Sequence, residues 1–423
     1  MGQWKNGDAM VRATWRLAAA WALALTACSA LAAPANWLTT WGASPQGPSA
    51  GGAADSGFSD RTIRQVVRIS AGGRQVRVRL TNEFGVAPIN VGAAHIAISG
   101  PDGAIRPGTD RVLTFGGRPA AVIPPGAPLL SDPVRLNAPA LASLSISLYL
   151  KGDAGACTCH AVGLQTGYVS DKGDFTAAET FPTARKMQAR AFLSGVEVSG
   201  GRPGKAVVVL GDSITDGVGS TSDANHRWPD LLAERLAGRA GPGQWAVVNE
   251  GIGGNRLLHD GRAASALARF DRDVLAQPGV AYVVVFEGIN DIGLSHIGDV
   301  HGPIADSLRP IAGAPVDADD IIAADTQLIA RAHAQGLKVY GVTLTPFGGA
   351  FYATPEGETD RQKVNAWIRS SGAFDAVLDF DAAWRDPAHP TQISASLHAG
   401  DHLHGSDAGY RAAAAAINLG LFR

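Results

Sequence analysis

The stretch Val207–Gly217, VVVLGDSITDG, begins as an unbroken apolar run and ends on glycine, aspartate and serine. An apolar run without polar alternation suits a strand covered on both faces, as in a parallel sheet. Its polar end then falls at the carboxyl edge of that strand, where open α/β sheets bind ligands. Ser213 is therefore either an ordinary turn residue or a nucleophile held at a strand end.

Downstream the same grammar repeats. The runs WAVVN, AYVVVF, LKVYGVTL and AVLDF each stand alone, separated by segments of helical spacing such as WPDLLAERLAG, ASALARFDRDVLA, DIIAADTQLIARAHAQG and ETDRQKVNAWIRSSG. Continuous strands alternating with helices predict a doubly wound α/β layer with right-handed crossovers. Upstream of SGGRPGK (Ser199–Lys205) the period changes to two. RQVRVRLTN sets Val76, Val78 and Leu80 against Arg77 and Arg79, and SLSISLYL sets Leu144, Ile146 and Leu148 against serines and Tyr149. Alternation of this kind belongs to strands with one wet face. With the punctuators SAGGR, SGPDG and IPPGAP between the runs, it predicts an antiparallel β-sandwich, jelly-roll-like in layout.

Composition bounds the function. The chain has 423 residues, 46% hydrophobic and 17% charged, enough for a packed core and long enough for two domains. A net charge of -2 without a basic block argues against nucleic acid as a partner. Arg12 and Arg16 precede the apolar run Leu17–Cys28 and the small residues SALAAPA, the order of a secretory signal cut after Ala32 or Ala33. No later stretch is apolar enough to cross a membrane, so the expected location is secreted or periplasmic. LTAC also has lipobox form, which would acylate Cys28 and anchor the chain to an outer membrane; the preferred reading makes Cys28 part of a discarded peptide. The expected divisions are 1–33 (signal), 34–199 (β-sandwich) and 200–423 (α/β layer). Cys157 and Cys159, in ACTCHA, suggest a local disulfide staple. With His160 they could ligate a metal, but a fourth ligand at useful spacing is missing.

The strand ends carry complementary chemistry: GDSITDG with Ser213, NEGIGGNR with Gly254 and Asn255, EGINDIG with Gly288, Asn290 and Asp291, and GDHLHGSDAGY with Asp401 and His404. These four ordered blocks, spanning roughly 206–410, resemble the SGNH (GDSL) serine hydrolase family. The resemblance implies a flavodoxin-like three-layer α/β/α fold and ester hydrolysis by a Ser-His-Asp triad. Ser213 would be the nucleophile, His404 its base, and Asp401 the carboxylate that orients the ring; an i, i+3 pair shares one side of a helical turn. The oxyanion donors would be the Ser213 and Gly254 amides and the Asn290 side chain. More weakly, the first half is similar to β-domains that precede the hydrolase in some secreted members.

Asp212 and Asp216 flank the nucleophile; Asp212 is expected to order the turn, and Asp291 to cap a helix or support a loop. His402 is read as a bystander, and His226, His259, His296, His301 and His398 as solvated or hydrogen-bonded loop residues. Gly405 follows His404 where many members carry proline, which implies a more mobile loop. The resemblance calls for no cofactor and no metal. It leaves several substrates open: acetylated carbohydrate of the xylan type as first choice, then lipase, lysophospholipase or broad acyl-esterase substrates. The competing class is a carbohydrate-binding protein with an inactive α/β half, and acyl transfer to a sugar would use the same residues.

Overall fold

In the α/β half every isolated apolar run forms a strand. The computed structural model describes residues 36–48 and 57–423, so the expected signal segment, its expected cleavage site and Cys28 lie outside the described residues. Five parallel strands lie in the order Gln244–Gly251, Gly204–Gly211, Val280–Phe286, Lys338–Val342, Ala376–Leu378. Numbered by sequence this is 2-1-3-4-5, the flavodoxin-like arrangement. Val207, Val208, Val209 and Leu210 have no exposed surface. Each contributes about 1.5–3 kcal/mol of apolar burial, which is why this strand carries no polar alternation. Helices follow their sequence signals closely. Ala318–Ala334 starts on a capping box of Asp317 and Asp320 and buries Ile321, Leu328 and Ile329. Pro355–Ser370 starts on Thr354, whose hydroxyl accepts from the Gly357 amide.

The first half is antiparallel. One sheet runs Leu38–Gly42, Leu193–Ser199, Gly73–Thr81, Pro128–Leu130, with Val134–Ala138 also paired to Gly73–Thr81. The larger sheet runs Thr183–Met187, Gly167–Lys172, Arg61–Arg68, Ser143–Leu150, Ile89–Ile98, Arg111–Val112, with Ala121–Ile123 beside Ile89–Ile98. Gly73–Thr81 alternates as expected, but Ser143–Leu150 does not have a wet face. Ser145 and Ser147 are buried. The fully buried Arg64 covers this face: its Nε donates to Ser147 Oγ at 2.8 Å and its Nη1 to Gly103 O at 2.9 Å. Ser147 thus bonds a buried guanidinium instead of water, and Ser145 Oγ donates to Ser99 Oγ at 3.1 Å.

Trp37–Arg423 form one compact unit with a shared apolar core. The antiparallel region covers the edge strand Gln244–Gly251: Val247 N donates to Ser70 Oγ (2.9 Å), and Gln244 exchanges bonds with Gly72 N and O, both at 3.0 Å. This occupies backbone groups that an open edge would expose. Among the described residues no helix is long and apolar enough to cross a membrane.

Candidate active site

GDSITDG folds as strand, turn and short helix. Ser213 opens the helix Ser213–Asp216 at the carboxyl end of Gly204–Gly211, and Asp212 is its N-cap, with Oδ1 accepting from Ile214 N at 2.8 Å. Asp212 thus orders the turn, as expected. Its burial pushes the carboxyl up to about 7 against the pull of the Ile214 amide.

Asp401 and His404 lie 188 or more residues from Ser213 in sequence, yet all three meet: His404 Nε2 is 2.8 Å from Ser213 Oγ, and Nδ1 is 2.6 Å from Asp401 Oδ2. The pair is not delivered by the helical turn expected. Asp401–His404 is an irregular bend in which Asp401 Oδ1 accepts from the amides of Leu403 (3.0 Å) and His404 (2.9 Å). This Asx-type turn ties the carboxylate to the backbone of the residue whose ring it orients. Burial pushes Asp401 up, but the His404 ring and the two amides outweigh it, so the carboxyl lies well below the usual carboxylate range. His402 stacks on His398 with ring centroids 4.3 Å apart and takes no part in this chain of bonds. His226 pairs with Asp407 and His296 with Asp360.

Gly405 corrects another expectation. A Cβ at this position would lie 2.7 Å from Trp384 Cη2 and 3.0 Å from Tyr410 Cε1. Glycine therefore permits close packing, and the loop behind His404 is braced by two buried aromatic rings, not loosened.

Opposite Ser213 stand Gly254 and Asn290. Gly254 adopts a φ of 74°, a left-handed conformation natural to glycine. Neither the Gly254 nor the Ser213 amide has a hydrogen-bond partner among the described residues. Asn290 sits in the first turn of Ile289–Ser295. Its Nδ2 donates to Asn255 O (3.0 Å) and its Oδ1 accepts from Tyr352 OH (3.3 Å). The Tyr352 contact selects the amide orientation, leaving the second N–H of Nδ2 without a partner among the described residues. Asp291 supports the neighbouring loop, accepting from Leu257 N (2.7 Å) and Leu258 N (3.0 Å). Burial pushes its carboxyl up to about 6.

Beneath these groups lies Arg269, fully buried and undetected in the sequence. It donates to Asn255 Oδ1 (2.8 Å), Gly211 O (3.1 Å) and Ser44 Oγ (3.0 Å), and pairs with Asp273 (3.2 Å). It also reaches Glu287 at 3.3 Å; burial and the neighbouring Asp212 push that carboxyl well above the ordinary range, although Arg269 pulls it back. The only sequence signal for Arg269 was a cation inside the apolar spacing of ASALARF. His160 and Asp216 were also underrated: they bond to each other at 3.0 Å. Both His160 ring nitrogens are engaged, by Ser44 O and Asp216, and Cys157 and Cys159 form the expected disulfide.

Ser213, His404, Gly254 and Asn290 open on a cleft of about 780 Å³. Leu294, Ile304, Leu308, Ile311 and Phe351 line one side. Gln46, Gly47, Ala161 and Val162, all from the antiparallel region, line another. Chemically, the site can deprotonate a hydroxyl, attack a carbonyl and hold the resulting oxyanion.

Residues 209–412 match the GDSL-like Lipase/Acylhydrolase family. By sequence, none of the curated proteins matches the chain. Among solved structures it is similar to a GDSL-like lipase from Bacteroides thetaiotaomicron (18% identity, TM-score 0.38, covering 51% of this chain and 87% of that one). An acetyl xylan esterase, AlAXEase, aligns at 22% identity and TM-score 0.37, covering 50% of this chain and 96% of that one. A lipase/acylhydrolase from Enterococcus faecalis aligns at the same identity and TM-score, covering 50% of this chain and 92% of that one.

Proposed function

We propose, from the premise that this chain carries a GDSL-like lipase/acylhydrolase domain and is a carboxylic ester hydrolase, that Ser213, His404 and Asp401 are its triad. The observation that carries the reading is the unbroken chain of bonds, 2.8 Å then 2.6 Å, from the Ser213 hydroxyl through the His404 ring to Asp401.

Ser213 Oγ attacks the acyl carbon while His404 Nε2 takes its proton, and Asp401 accepts from Nδ1–H, holding the tautomer and stabilising the imidazolium. The carbonyl oxygen gains its charge among the Ser213 and Gly254 amides and Asn290 Nδ2. The alcohol leaves with the proton from His404. Water then gives a proton to the same nitrogen as it attacks the acyl-serine, and the acid departs as Ser213 recovers its hydrogen.

The apolar side of the cleft favours an acyl or aryl group larger than acetyl, which moves the preferred substrate from an acetylated carbohydrate towards a medium-chain ester. Each methylene buried there is worth about 0.8 kcal/mol, roughly fourfold in kcat/KM. A p-nitrophenyl ester series tests this: kcat/KM should rise from acetate to at least hexanoate and vanish in Ser213→Ala. A fall beyond acetate, with acetate release from acetylated xylan, would favour carbohydrate deacetylation instead. Turnover independent of Ser213, or none, would favour the binding-protein reading.

A further inference from the structure

His160 ends the short strand Cys159–His160 of the antiparallel region, yet its ring is buried against the α/β layer, with 4% of the side chain exposed. Its Nδ1 lies 3.0 Å from Ser44 O. A carbonyl only accepts, so this nitrogen carries a proton. Its Nε2 lies 3.0 Å from Asp216 Oδ1, and the other Asp216 oxygen accepts from Gly253 N at 2.9 Å. One proton lies between Nε2 and Oδ1, and the pair is neutral as a whole whichever atom holds it.

Asp216 closes the helix that Ser213 opens, and Gly253 immediately precedes Gly254. One carboxylate therefore ties the nucleophile's helix to the oxyanion turn. Two successive glycines have wide backbone freedom, and the direction of their amides depends on what holds them. The Gly253 amide is held by Asp216, and apart from that amide the Asp216 side chain has no hydrogen-bond partner but His160 among the described residues. We infer that His160, supplied by the antiparallel region, is a positioning residue of the oxyanion hole, acting through Asp216 and the Gly253 amide on Gly254. This rests on the esterase reading above, and it gives the first half of the chain a part in catalysis beyond lining the cleft.

The test uses the full chain with p-nitrophenyl butyrate, comparing wild type, Ser213→Ala, His160→Gln and His160→Asn. A glutamine amide reaches the place of Nε2 and keeps the Asp216 bond; an asparagine amide reaches the place of Nδ1 and keeps only the Ser44 bond. Rates are taken per serine that reacts with a fluorophosphonate, so misfolded chain does not count. His160→Asn should lower kcat by roughly 10–100-fold, the scale of a small misplacement of reacting groups. Its KM should stay within about twofold, since the hole acts on the transition state. His160→Gln should recover most of the loss. Equal kcat in the two variants, or a change confined to KM, overturns the inference while wild-type turnover keeps the esterase reading intact. Wild type without Ser213-dependent turnover fails that reading, and this one with it.

Discussion

Replacing Asn290 by alanine isolates the side-chain donor of the proposed oxyanion hole. Asn290 is 6% exposed, and one hydrogen of its Nδ2 is committed to Asn255 O at 3.0 Å. The other is the one available to substrate, and the orientation that makes it so is fixed by Tyr352 OH at 3.3 Å from Oδ1. Losing one such donor costs about 2.7–4 kcal/mol of transition-state stabilisation, so kcat should fall by roughly 10²–10³-fold. KM should change little, because the ground-state carbonyl gains little from the hole. The substitution also leaves the buried Asn255 carbonyl without its donor, a separate stability cost of about 1–3 kcal/mol. Thermal melts measure that second effect, and kinetics recorded well below the melting range measure the first. Asn290→Asp sharpens the experiment: it keeps the shape, supplies only acceptors and brings charge of the wrong sign, so it should lose more activity than alanine. A kcat within about fivefold of wild type in Asn290→Ala, or a loss confined to KM, would refute the role.

Two further outcomes follow from the charges. Asp401→Asn removes the carboxylate that fixes the His404 tautomer and should lower kcat by about 10³–10⁴-fold with KM nearly unchanged, read in the same nitrophenyl assay. Asp325 is buried in Ala318–Ala334, where burial pushes its carboxyl from 3.8 up to about 8. The native state then holds a proton that the unfolded chain releases, so its stabilising contribution is complete below about pH 4 and is lost as pH rises towards 8. Melting temperatures measured from pH 5 to 9 should fall, and fall less steeply in Asp325→Asn; Glu250, pushed up to about 8 by burial, keeps the slope from vanishing. An identical slope in wild type and variant would remove Asp325 from this account.

The runs VVVLG, WAVVN and AYVVVF, with helical segments between them, determined the parallel layer, because a strand buried on both faces must be apolar at every position. Alternation misjudged SLSISLYL: Ser145 and Ser147 are buried, since their partners Ser99 and Arg64 lie 46 and 83 residues away in sequence. Site legibility divided in the same way. Ser213, Gly254, Asn290, Asp401 and His404 each follow a local signal, at a strand end or in a polar turn, that survives in one dimension. Arg269, Tyr352 and the His160–Asp216 pair have no such signal, because their roles come from partners up to 225 residues away that meet only in the packed core. Sequence pattern thus specified the layers and the proposed reacting groups, which depend on local periodicity and turn chemistry. Only tertiary packing decided that Asp401 reaches His404 through a bend, that Gly405 is a packing requirement, and that His160 of the antiparallel region meets Asp216: desolvated hydrogen bonds are directional and long-range, and a one-dimensional pattern does not encode direction.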